Sequence, residues 1–440
     1  MEISGWGRFP KADCRISFPR DEISLRNLVL SGPSITRGNG RAYGDSALNQ
    51  TLTIDLTGFN RMIAFDRETG VLTVEAGVVL GEIIEAFLPR GWFPAVTPGT
   101  KFVTIGGMVA ADVHGKNHHK HGSFGTFVEW IDLMVADGSV LRCSRTENSD
   151  LFAFTIGGMG LTGVILRAAI RLTPVESGWI RQRTIPARCL DEAIDIFERC
   201  ADWTYSVAWI DCFAPKNMRG RSSVVLGEHA RREELSDEQM LDPYQVKARR
   251  KRHISFDAPQ FALNRFSVRA FNAIYYTIGR RGAGDRLTGW DSYFYPLDAI
   301  QGWNRIYGRR GFAQFQCVLP LSTATRGITE LLEAISLAGQ GSFLAVLKRM
   351  GAQGSRFSFP MEGYTLALDF PASAAGLALM EQLDAITVAH GGRFYLAKDA
   401  RMSSATLEAA DPRLAAFREM RRSSGAAARF SSLQSQRLSL

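Results

Sequence analysis

The histidine-rich stretch DVHGKNHHKHGSFG, residues 112–125, holds the densest group of reactive side chains in the sequence. Four of the seven histidines stand there, at positions 114, 118, 119 and 121. Imidazole can ligate a metal ion, transfer protons in a catalytic loop, or line the pocket of a bound cofactor. His114 and His118 are four residues apart and would share one face of a helix, as the zinc ligands of a metal-dependent hydrolase do.

The surroundings of these histidines argue against a metal site. Glycines stand near both ends of the cluster, the composition between them is poor in helix formers, and Asp112 is the nearest acidic residue. No HExxH-like pattern supplies a catalytic base. We therefore expect an extended, glycine-flanked loop without a metal, in which His119 and His121 are ordinary loop residues.

Three glycine-rich stretches, residues 36–47, 97–119 and 155–174, could hold an anion. Glycine exposes backbone N–H groups that can bind phosphate oxygens. The third stretch contains a GxGxxG pattern at Gly158, Gly160 and Gly163. A Rossmann fingerprint requires a helix after the glycines, whereas VILRAAIRLTP alternates like a strand. A nicotinamide-binding Rossmann domain is therefore not expected.

The hydrophobic spacing predicts a mixed α+β protein. Strands are expected at 61–66, 71–77, 204–214, 311–321, 342–350 and 363–371, with a hairpin at Asp137-Gly138. Helices are expected at 79–91, 191–203, 325–339 and 372–390. We divide the chain at residues 177 and 392, and residues 178–392 should form an α+β domain with an antiparallel sheet.

Composition narrows the function classes. The six cysteines are scattered without a CxxC pair, which argues against a zinc module or a disulfide framework. The N-terminal residues lack the apolar core of a signal peptide, and no run of roughly 18 apolar residues could span a membrane. A cytoplasmic or peripheral membrane-associated protein is expected.

Part of the net charge of +8 is concentrated in one segment. Residues 246–256 hold five Lys or Arg, and the apolar and basic residues 261–281 follow within the region 228–281. This segment is either a solvated surface loop or a patch that meets anionic lipid headgroups or a lipid-linked phosphate. A non-catalytic lipid-binding module is a rival interpretation. Nucleic acid is not expected as a partner because no binding motif accompanies the charge.

The motifs RGNGRAYGD, PGTKFVTIGGMVAADVHGKNHHKHGSFG, GGMGLTGVILRA and SFPMEGYTLALDFP, in this order, resemble the vanillyl-alcohol-oxidase/PCMH flavoprotein superfamily. More closely, the chain resembles the family of oxidase subunits of decaprenylphosphoryl-β-D-ribose 2′-epimerases, almost from end to end. The resemblance implies a PCMH-type, two-subdomain FAD-binding domain at residues 1–177 and an α+β substrate domain at 178–392. Residues 393–440 would return to the FAD-binding domain.

The resemblance implies an FAD site built from the three glycine-rich stretches. The first stretch and Gly106–Gly107 would bind the pyrophosphate, and the third stretch would flank the isoalloxazine. The implied cofactor-binding residues are Thr36, Arg37, Gly38, Asn39, Gly40, Arg41, Ala42, Tyr43, Gly44, Asp45, Ser46, Gly99, Thr100, Thr104, Ile105, Gly106, Gly107, Ala111, Asp112, Val113, His114, His118, Gly160, Leu161, Thr162, Gly163, Val164, Ile165 and Tyr395.

The resemblance also implies the residues on the substrate side of the flavin. A carbinol that loses hydride must also lose its hydroxyl proton, so a polar group must accept that proton. The implied catalytic residues are Lys398, Tyr43 and His114. The implied substrate-binding residues are Lys116, Trp209, Gln314, Gln316, Lys348 and Thr365. Cationic Lys116 and Lys348 could hold a phosphodiester-like headgroup.

Two departures from the family pattern change the expectation. Many relatives tether FAD through a histidine in the first glycine-rich loop, where this chain has RAYGD with Tyr43, so non-covalent FAD is expected. Ala367 stands where mycobacterial members have a cysteine, and Thr365 replaces an asparagine. Hydride transfer needs no thiol, but the exact substrate is left open.

The activity that the resemblance implies is FAD-dependent oxidation of the 2′-hydroxyl of a polyprenylphosphoryl-β-D-ribose to the 2′-keto sugar. A short-chain dehydrogenase/reductase partner would complete the epimerisation to the arabinose form, and peripheral membrane contact is expected. The alternative within the flavoenzymes is an aldonolactone or alditol oxidase with a soluble substrate. Such a substrate does not require the basic, apolar segment at 246–281.

Overall fold

The computed structural model describes residues 1–247, 249–259 and 263–440. The elements of the first part of the chain are β1 (Glu2–Ser4), β2 (Lys11–Asp13), β3 (Ile16–Ser17), α1 (Glu22–Leu30), β4 (Ile35–Arg37), β5 (Thr53–Asp55), β6 (Met62–Phe65), β7 (Val71–Glu75), α2 (Leu80–Phe87), β8 (Trp92–Pro94), α3 (Ile105–Ala110), α4 (His118–His121), β9 (Val128–Met134), β10 (Val140–Ser144), α5 (Ser149–Thr155) and β11 (Val164–Pro174).

The middle of the chain contains β12 (Trp179–Ala187), α6 (Leu190–Arg199), β13 (Tyr205–Ile210), β14 (Ser222–His229), α7 (Asp237–Leu241), β15 (Arg252–His253), α8 (Arg265–Arg281), β16 (Gly284–Gly289), α9 (Trp290–Phe294), β17 (Ile300–Gln301), β18 (Phe312–Pro320), α10 (Leu321–Ala338), β19 (Ala345–Met350), β20 (Gly363–Pro371) and α11 (Ala374–Ala389). The last elements are β21 (Arg393–Phe394), α12 (Ser404–Ala410), α13 (Leu414–Ser423), α14 (Ala426–Arg429) and α15 (Leu433–Arg437).

The first part of the chain forms three sheets among its described residues, and one of them is the antiparallel pair of β1 and β2. β3, β5 and β4 make a small parallel sheet, and the antiparallel order β10-β9-β11-β7-β6 makes a larger one, with β8 paired to the end of β11. β11 is buried along most of its length, as its run of Val, Ile, Leu and Ala requires. The strand after the GxGxxG pattern is therefore confirmed, and the pattern opens no Rossmann helix.

Seven strands from the middle of the chain and β21 form an eight-stranded antiparallel sheet in the order β16-β12-β14-β13-β19-β20-β18-β21, and β15 and β17 form a separate parallel pair. Helices α6, α10 and α11 pack on this sheet. The apolar residues of α10 recur at helical spacing, with Ile328, Leu331, Leu332 and Ile335 fully or almost fully buried. The expected antiparallel sheet and the mixed α+β class are confirmed.

Strands β18, β19 and β20 separate polar from apolar residues by period-two alternation. Phe315 and Cys317 in β18, and Leu366 and Leu368 in β20, belong to the main hydrophobic core. The alternate positions of the same strands carry polar side chains, which face away from this core: Gln314, Gln316, Lys348, Thr365 and Asp369. The register pairs Gln314 with Asp369 and Lys348 with Thr365, so these residues form one continuous polar surface.

The C-terminal residues connect the sheet to the first part of the chain. β21 pairs with β18 through Cys317 and Phe394. The Tyr43 amide then donates to the Ala397 carbonyl at 2.9 Å, and the Tyr395 hydroxyl donates to the Ala111 carbonyl at 3.0 Å. Residues after Gly392 therefore contact the first two glycine-rich stretches directly.

The expected helices and strands are found with shifts of a few residues at their ends. The largest shifts are four residues, as at α10, which begins at Leu321 instead of 325, and at β13, which ends at Ile210 instead of 214. The expectation of an extended loop is wrong at residues 118–121, which form the short helix α4. The Asn117 carbonyl accepts from the amides of Lys120 and His121, and these bonds close the turn despite its low helix propensity. No helix in the described ranges is long and apolar enough to cross a lipid bilayer.

Arg421 joins the third glycine-rich stretch to the C-terminal residues. Its side chain is almost fully buried, with Nε donating to the Leu161 carbonyl at 3.0 Å and Nη2 donating to the Phe430 carbonyl. Desolvation lowers the pKa of Arg421 to about 10, so the guanidinium stays protonated at neutral pH. The neighbouring Arg422 is exposed and pairs with Glu419.

We predict that Arg421→Met lowers the free energy of unfolding by roughly 2 kcal/mol, because two buried carbonyls lose their donor. Chemical denaturation followed by fluorescence measures the change. Arg422→Met is the matched control and should alter stability by less than about 0.5 kcal/mol. Equal stabilities of the two variants would show that the buried guanidinium does not hold these segments together.

Candidate active site

A cavity of about 640 Å³ lies between the three glycine-rich stretches and the polar face of β18, β19 and β20. Residues 297–304 and the C-terminal residues Tyr395, Ala397 and Lys398 complete its wall. This volume falls in the range of small-molecule and cofactor sites, which are usually formed before the ligand arrives. The cavity therefore brings together most of the residues that the resemblance implies for the cofactor and for the substrate.

Most of the implied cofactor residues line this cavity. Two of its glycines are open toward it: a Cβ on Gly99 would meet no heavy atom within 4 Å, and one on Gly107 would meet only the Thr104 hydroxyl at 3.2 Å. The lining residues are Thr36, Arg37, Gly38, Asn39, Gly40, Arg41, Ala42, Tyr43, Ser46, Gly99, Thr100, Thr104, Gly106, Gly107, Ala111, Val113, His114, Gly160, Gly163, Ile165 and Tyr395.

The fit of an FAD molecule to these residues rests on their shape and chemistry. The glycines leave room for an extended ligand against bare backbone, and Gly160 has a φ of +75° that only glycine adopts without strain. Arg41 lies over the Trp6 ring, 4.3 Å from its centroid, and its Nε finds no hydrogen-bond partner in the part of the chain that the structure describes. A cationic guanidinium beside open backbone suits the phosphates of a dinucleotide.

The remaining implied cofactor residues do not line the cavity; they are Gly44, Asp45, Ile105, Asp112, His118, Leu161, Thr162 and Val164. Ile105, Leu161 and Val164 are core residues. Gly44 packs on the backbone of Asp399, and Asp45 pairs with Arg437 at 2.8 Å. The Thr162 hydroxyl bonds to Thr155 at 2.9 Å. These side chains support the cavity wall from behind.

Asp112 is a buried carboxylate that organises the histidine-rich stretch. It accepts hydrogen bonds from the Ser123 hydroxyl at 2.6 Å and the Gly125 amide at 2.7 Å, and also from Gln353 and Ser358. Desolvation raises the pKa of Asp112, and these donors oppose that rise. The stretch is therefore held in place by a carboxylate that faces away from the cavity.

His114 is the histidine of the stretch that lines the cavity, and its partners define its tautomer. The Thr365 hydroxyl donates to the Cys317 carbonyl at 2.7 Å and accepts from Gln316 Nε2 at 3.2 Å. The same Gln316 nitrogen donates to His114 Nε2 at 3.1 Å, so Nδ1 carries the imidazole hydrogen. This Nδ1 is buried and has no hydrogen-bond partner among the described residues. Desolvation lowers the pKa of His114 well below its usual value, so the ring is neutral.

The other three histidines are engaged with different partners. His118 accepts from the Gly351 amide at 3.1 Å and contacts Gln353 at 3.0 Å. His119 bonds to the Trp203 carbonyl and His121 to Asn117. In the described part of the chain, no group of three or more His, Cys, Asp or Glu residues could hold a metal ion. Only His114 of the stretch is placed for chemistry at the cavity.

Lys398, Tyr43 and Asp369 form a charged cluster at one end of the cavity. Lys398 Nζ lies 3.6 Å from the centroid of the Tyr43 ring. Asp369 accepts a hydrogen bond from Gln314 Nε2 and another from the Tyr307 hydroxyl at 3.4 Å. Desolvation lowers the pKa of Lys398 and raises the pKa of Asp369. Each group therefore exchanges its proton more readily near neutral pH than it would in water.

The structure brings Gln314, Gln316, Lys348 and Thr365 to the cavity, but Lys116 and Trp209 do not line it. Desolvation lowers the pKa of Lys348 to about 8. Lys116 donates to the Tyr293 carbonyl, and its Nζ lies 4.0 Å from the centroid of the Tyr293 ring. Trp209 Nε1 donates to the Phe343 carbonyl at 2.9 Å. Lys116 and Trp209 support residues near the cavity wall.

Asp369 is a cavity residue that the sequence reasoning did not identify. The signal was present, because Thr365, Ala367 and Asp369 are alternate residues of one predicted strand and must share a face. Trp303 and Asn304 were also missed. They come from a short helical turn between strands, and its position could not be inferred from periodicity.

Comparison with known proteins defines the class. The FAD binding domain family matches residues 31–144, which include the first two glycine-rich stretches. This match and the cavity that these stretches line identify an FAD-binding protein.

Over 462 aligned residues, the chain is 34% identical to decaprenylphosphoryl-β-D-ribose oxidase of Mycolicibacterium smegmatis, covering 100% of this chain and 97% of that protein. The chain belongs to the family of that oxidase. It is also 32% identical to L-gulonolactone oxidase of Mus musculus over 31% of each chain. A 31% identity to the human Δ(24)-sterol reductase covers 33% of this chain and 27% of that protein.

We predict that Gly107→Leu folds normally but loses most of its FAD, because the new side chain enters the cavity beside the open helix surface. The ratio of flavin absorbance at 450 nm to protein absorbance at 280 nm measures the loss, and a tenfold or larger fall in affinity is expected (about 1.4 kcal/mol or more). Gly354→Leu is the control, since Gly354 is also open but lies outside the cavity lining. Full flavin content in Gly107→Leu would place the cofactor elsewhere.

Proposed function

We propose that this protein oxidises the 2′-hydroxyl of a polyprenylphosphoryl-β-D-ribose to the 2′-keto sugar, as the first half of an epimerisation to the arabinose form. The observation that carries the proposal is identity to decaprenylphosphoryl-β-D-ribose oxidase over essentially both full chains. The similarity to L-gulonolactone oxidase covers about a third of each chain, so it supports the soluble-sugar alternative less well.

The glycine-rich wall would hold FAD, which supplies a two-electron acceptor for hydride from a CH–OH carbon when bound. The first stretch and Gly106–Gly107 would bind the pyrophosphate. Ala111, Gly160 and Tyr395 would contact the ring system. We propose a non-covalent complex, because the first stretch presents Tyr43 where a tethering histidine would be needed.

Lys398 is proposed as the group that accepts the hydroxyl proton of the sugar. Its neutral amine is accessible near neutral pH because desolvation lowers its pKa. Tyr43 lies directly beneath the amine and would relay or orient the proton. The pKa of Tyr43 is raised well above its usual value, so the phenol stays protonated and acts as a donor.

The polar face of the sheet would bind the rest of the sugar phosphate. Gln314 and Gln316 present amides to the cavity, and neutral His114 carries a free Nδ1–H that could donate to a sugar hydroxyl or a flavin oxygen. Lys348 lines the same cavity and is proposed as the cationic partner of the phosphodiester. The Thr365 hydroxyl donates its hydrogen to the Cys317 carbonyl and accepts from Gln316, so its role would be to orient Gln316.

The finer organisation of the protein belongs to the same proposal. Residues 1–177 would form a PCMH-type FAD-binding domain of two subdomains, and residues 178–392 a substrate domain. Residues 393–440 would complete the FAD-binding domain, which the hydrogen bonds from the Tyr43 amide to Ala397 and from the Tyr395 hydroxyl to Ala111 support. A short-chain dehydrogenase/reductase would reduce the keto sugar, and the lipid substrate would require peripheral membrane contact. No role for nucleic acid is proposed.

The substrate assignment predicts that anaerobic mixing of the FAD-loaded protein with polyprenylphosphoryl-β-D-ribose bleaches the flavin absorbance at 450 nm. The matched control is the 2′-deoxy analogue, which has no hydroxyl to oxidise and should leave the spectrum unchanged. Lys398→Ala should retain FAD and slow bleaching at least 100-fold, because general base catalysis contributes about 10²–10⁴. Bleaching by an aldonolactone but not by the lipid-linked ribose would establish the soluble-sugar alternative.

The position of Asp369 near Lys398 leads to a prediction about how the rate of flavin reduction depends on pH. Only the neutral Lys398 amine accepts a proton, so the rate should rise with pH through the Lys398 pKa. The Asp369 carboxylate raises that pKa. Asp369→Asn should therefore move the rising limb to lower pH by roughly one unit. Stopped-flow bleaching between pH 5 and pH 9 measures the shift, and an exposed-carboxylate variant, Asp285→Asn, is the control. Coincident pH profiles for wild type and Asp369→Asn would show that Asp369 does not influence the pKa of the group that accepts the proton.

A further inference from the structure

Helix α8, Arg265–Arg281, turns its apolar residues outward. Its buried residues are Val268, Asn272 and Tyr276, which recur every four residues and face the sheet. The exposed side carries larger apolar side chains, including Phe266 at 82%, Ile274 at 60% and Ile278 at 60% of full exposure. Phe271 and Tyr275 are also exposed. A soluble helix normally has the opposite arrangement, so this surface needs a partner.

Two polar contacts help to attach the buried side of α8 to the rest of the fold. Asn272 Nδ2 donates to Asp211 Oδ1 at 3.0 Å, and the Tyr276 hydroxyl donates to the Ala187 carbonyl at 3.3 Å. Phe266, Ile274 and Ile278 take no part in these two contacts and are largely exposed. Their exposure has to be explained by something outside the fold.

The outer surface of α8 continues toward the cavity. The rings of Phe271 and Phe343 are in edge contact at 5.6 Å, and the rings of Tyr275 and Trp209 are 4.7 Å apart. Phe343 directly precedes Leu344, which lines the cavity. An apolar chain leaving the cavity beside Leu344 would therefore pass onto aromatic side chains that lead to the outside of α8.

The charge of α8 indicates the kind of partner. Arg265, Arg269, Arg280 and Arg281 are its ionisable residues apart from two tyrosines, and it contains no Asp or Glu. Within the described part of the chain, none of these four arginines forms an ion pair with a carboxylate. The preceding residues 247–252 add further Lys and Arg, also without an acidic residue.

We propose that α8 is an interfacial helix that binds the surface of an anionic phospholipid membrane, with Phe266, Phe271, Ile274 and Ile278 entering the headgroup region. Cationic residues beside an exposed apolar surface are the arrangement of such helices. A second copy of this chain fits less well, because a two-fold contact through α8 would bring arginines against arginines. This inference deepens the proposed function, on which it rests for the lipid-linked nature of the substrate.

The experiment is flotation of the FAD-loaded protein with vesicles of phosphatidylcholine alone and of phosphatidylcholine with phosphatidylglycerol at 7:3. Flavin absorbance reports the bound fraction. The protein should float with the anionic vesicles, and Ile274→Ser/Ile278→Ser should reduce binding at least tenfold. Arg280→Gln/Arg281→Gln should remove most of the preference for anionic vesicles. Leu337→Ser is the control, because Leu337 is an exposed apolar residue of α10.

Each other outcome has a defined meaning. Absence of flotation by the wild-type protein, or equal flotation of wild type and Ile274→Ser/Ile278→Ser, overturns the inference. So does a concentration-dependent dimer in light scattering that the same variant abolishes without any vesicle binding. Anaerobic bleaching by a short-chain, water-soluble phosphoribose substrate should be the same in this variant and in wild type. Flotation without bleaching would contradict the proposed function but not membrane binding by α8. Bleaching without flotation would contradict membrane binding by α8 but not the proposed function.

Discussion

The period-two alternation of strands β18, β19 and β20 is the constraint on which the site depends. One set of residues, including Phe315 and Leu366, closes the main hydrophobic core. The alternate set, including Gln314, Lys348 and Asp369, faces the cavity. Because a one-residue slip would exchange the two sets, burial of the apolar set holds the polar set in register. The free energy that stabilises the sheet thus also positions the candidate catalytic surface.

The cavity is electrostatically unusual because its cations outnumber its carboxylates and are removed from bulk water. Lys348 and Lys398 lie there together, and each has its pKa lowered chiefly by desolvation. Asp369 opposes this effect at Lys398. An arrangement that makes a lysine easier to deprotonate costs folding stability, and such groups concentrate at functional sites. The anionic phosphates of a bound ligand would offset part of that cost.

Residues of the histidine-rich stretch have two different roles: some hold the stretch in place, and His114 faces the cavity. Asp112 holds the stretch from behind through donors that include Ser123 and Gly125, while His114 turns into the cavity. The Gln316 amide, on strand β18, orients the His114 ring. Four histidines close in sequence thus meet four different environments, because a short turn of helix directs His118, His119 and His121 toward other segments.

The sequence by itself determined the α+β class, helices α2, α6, α10 and α11, several of the longer strands, the FAD family and many of the cavity residues. These follow from local periodicity, glycine placement and long motifs, which are properties of neighbouring residues. Only the tertiary structure decided that Lys116 and Trp209 lie outside the cavity lining while Asp369 lies within it. It also showed that most of the large apolar side chains of α8 are exposed. Such outcomes depend on contacts between residues far apart in the chain. Periodicity shows which residues share a face of an element, but it does not show which ligand or which neighbouring segment that face meets.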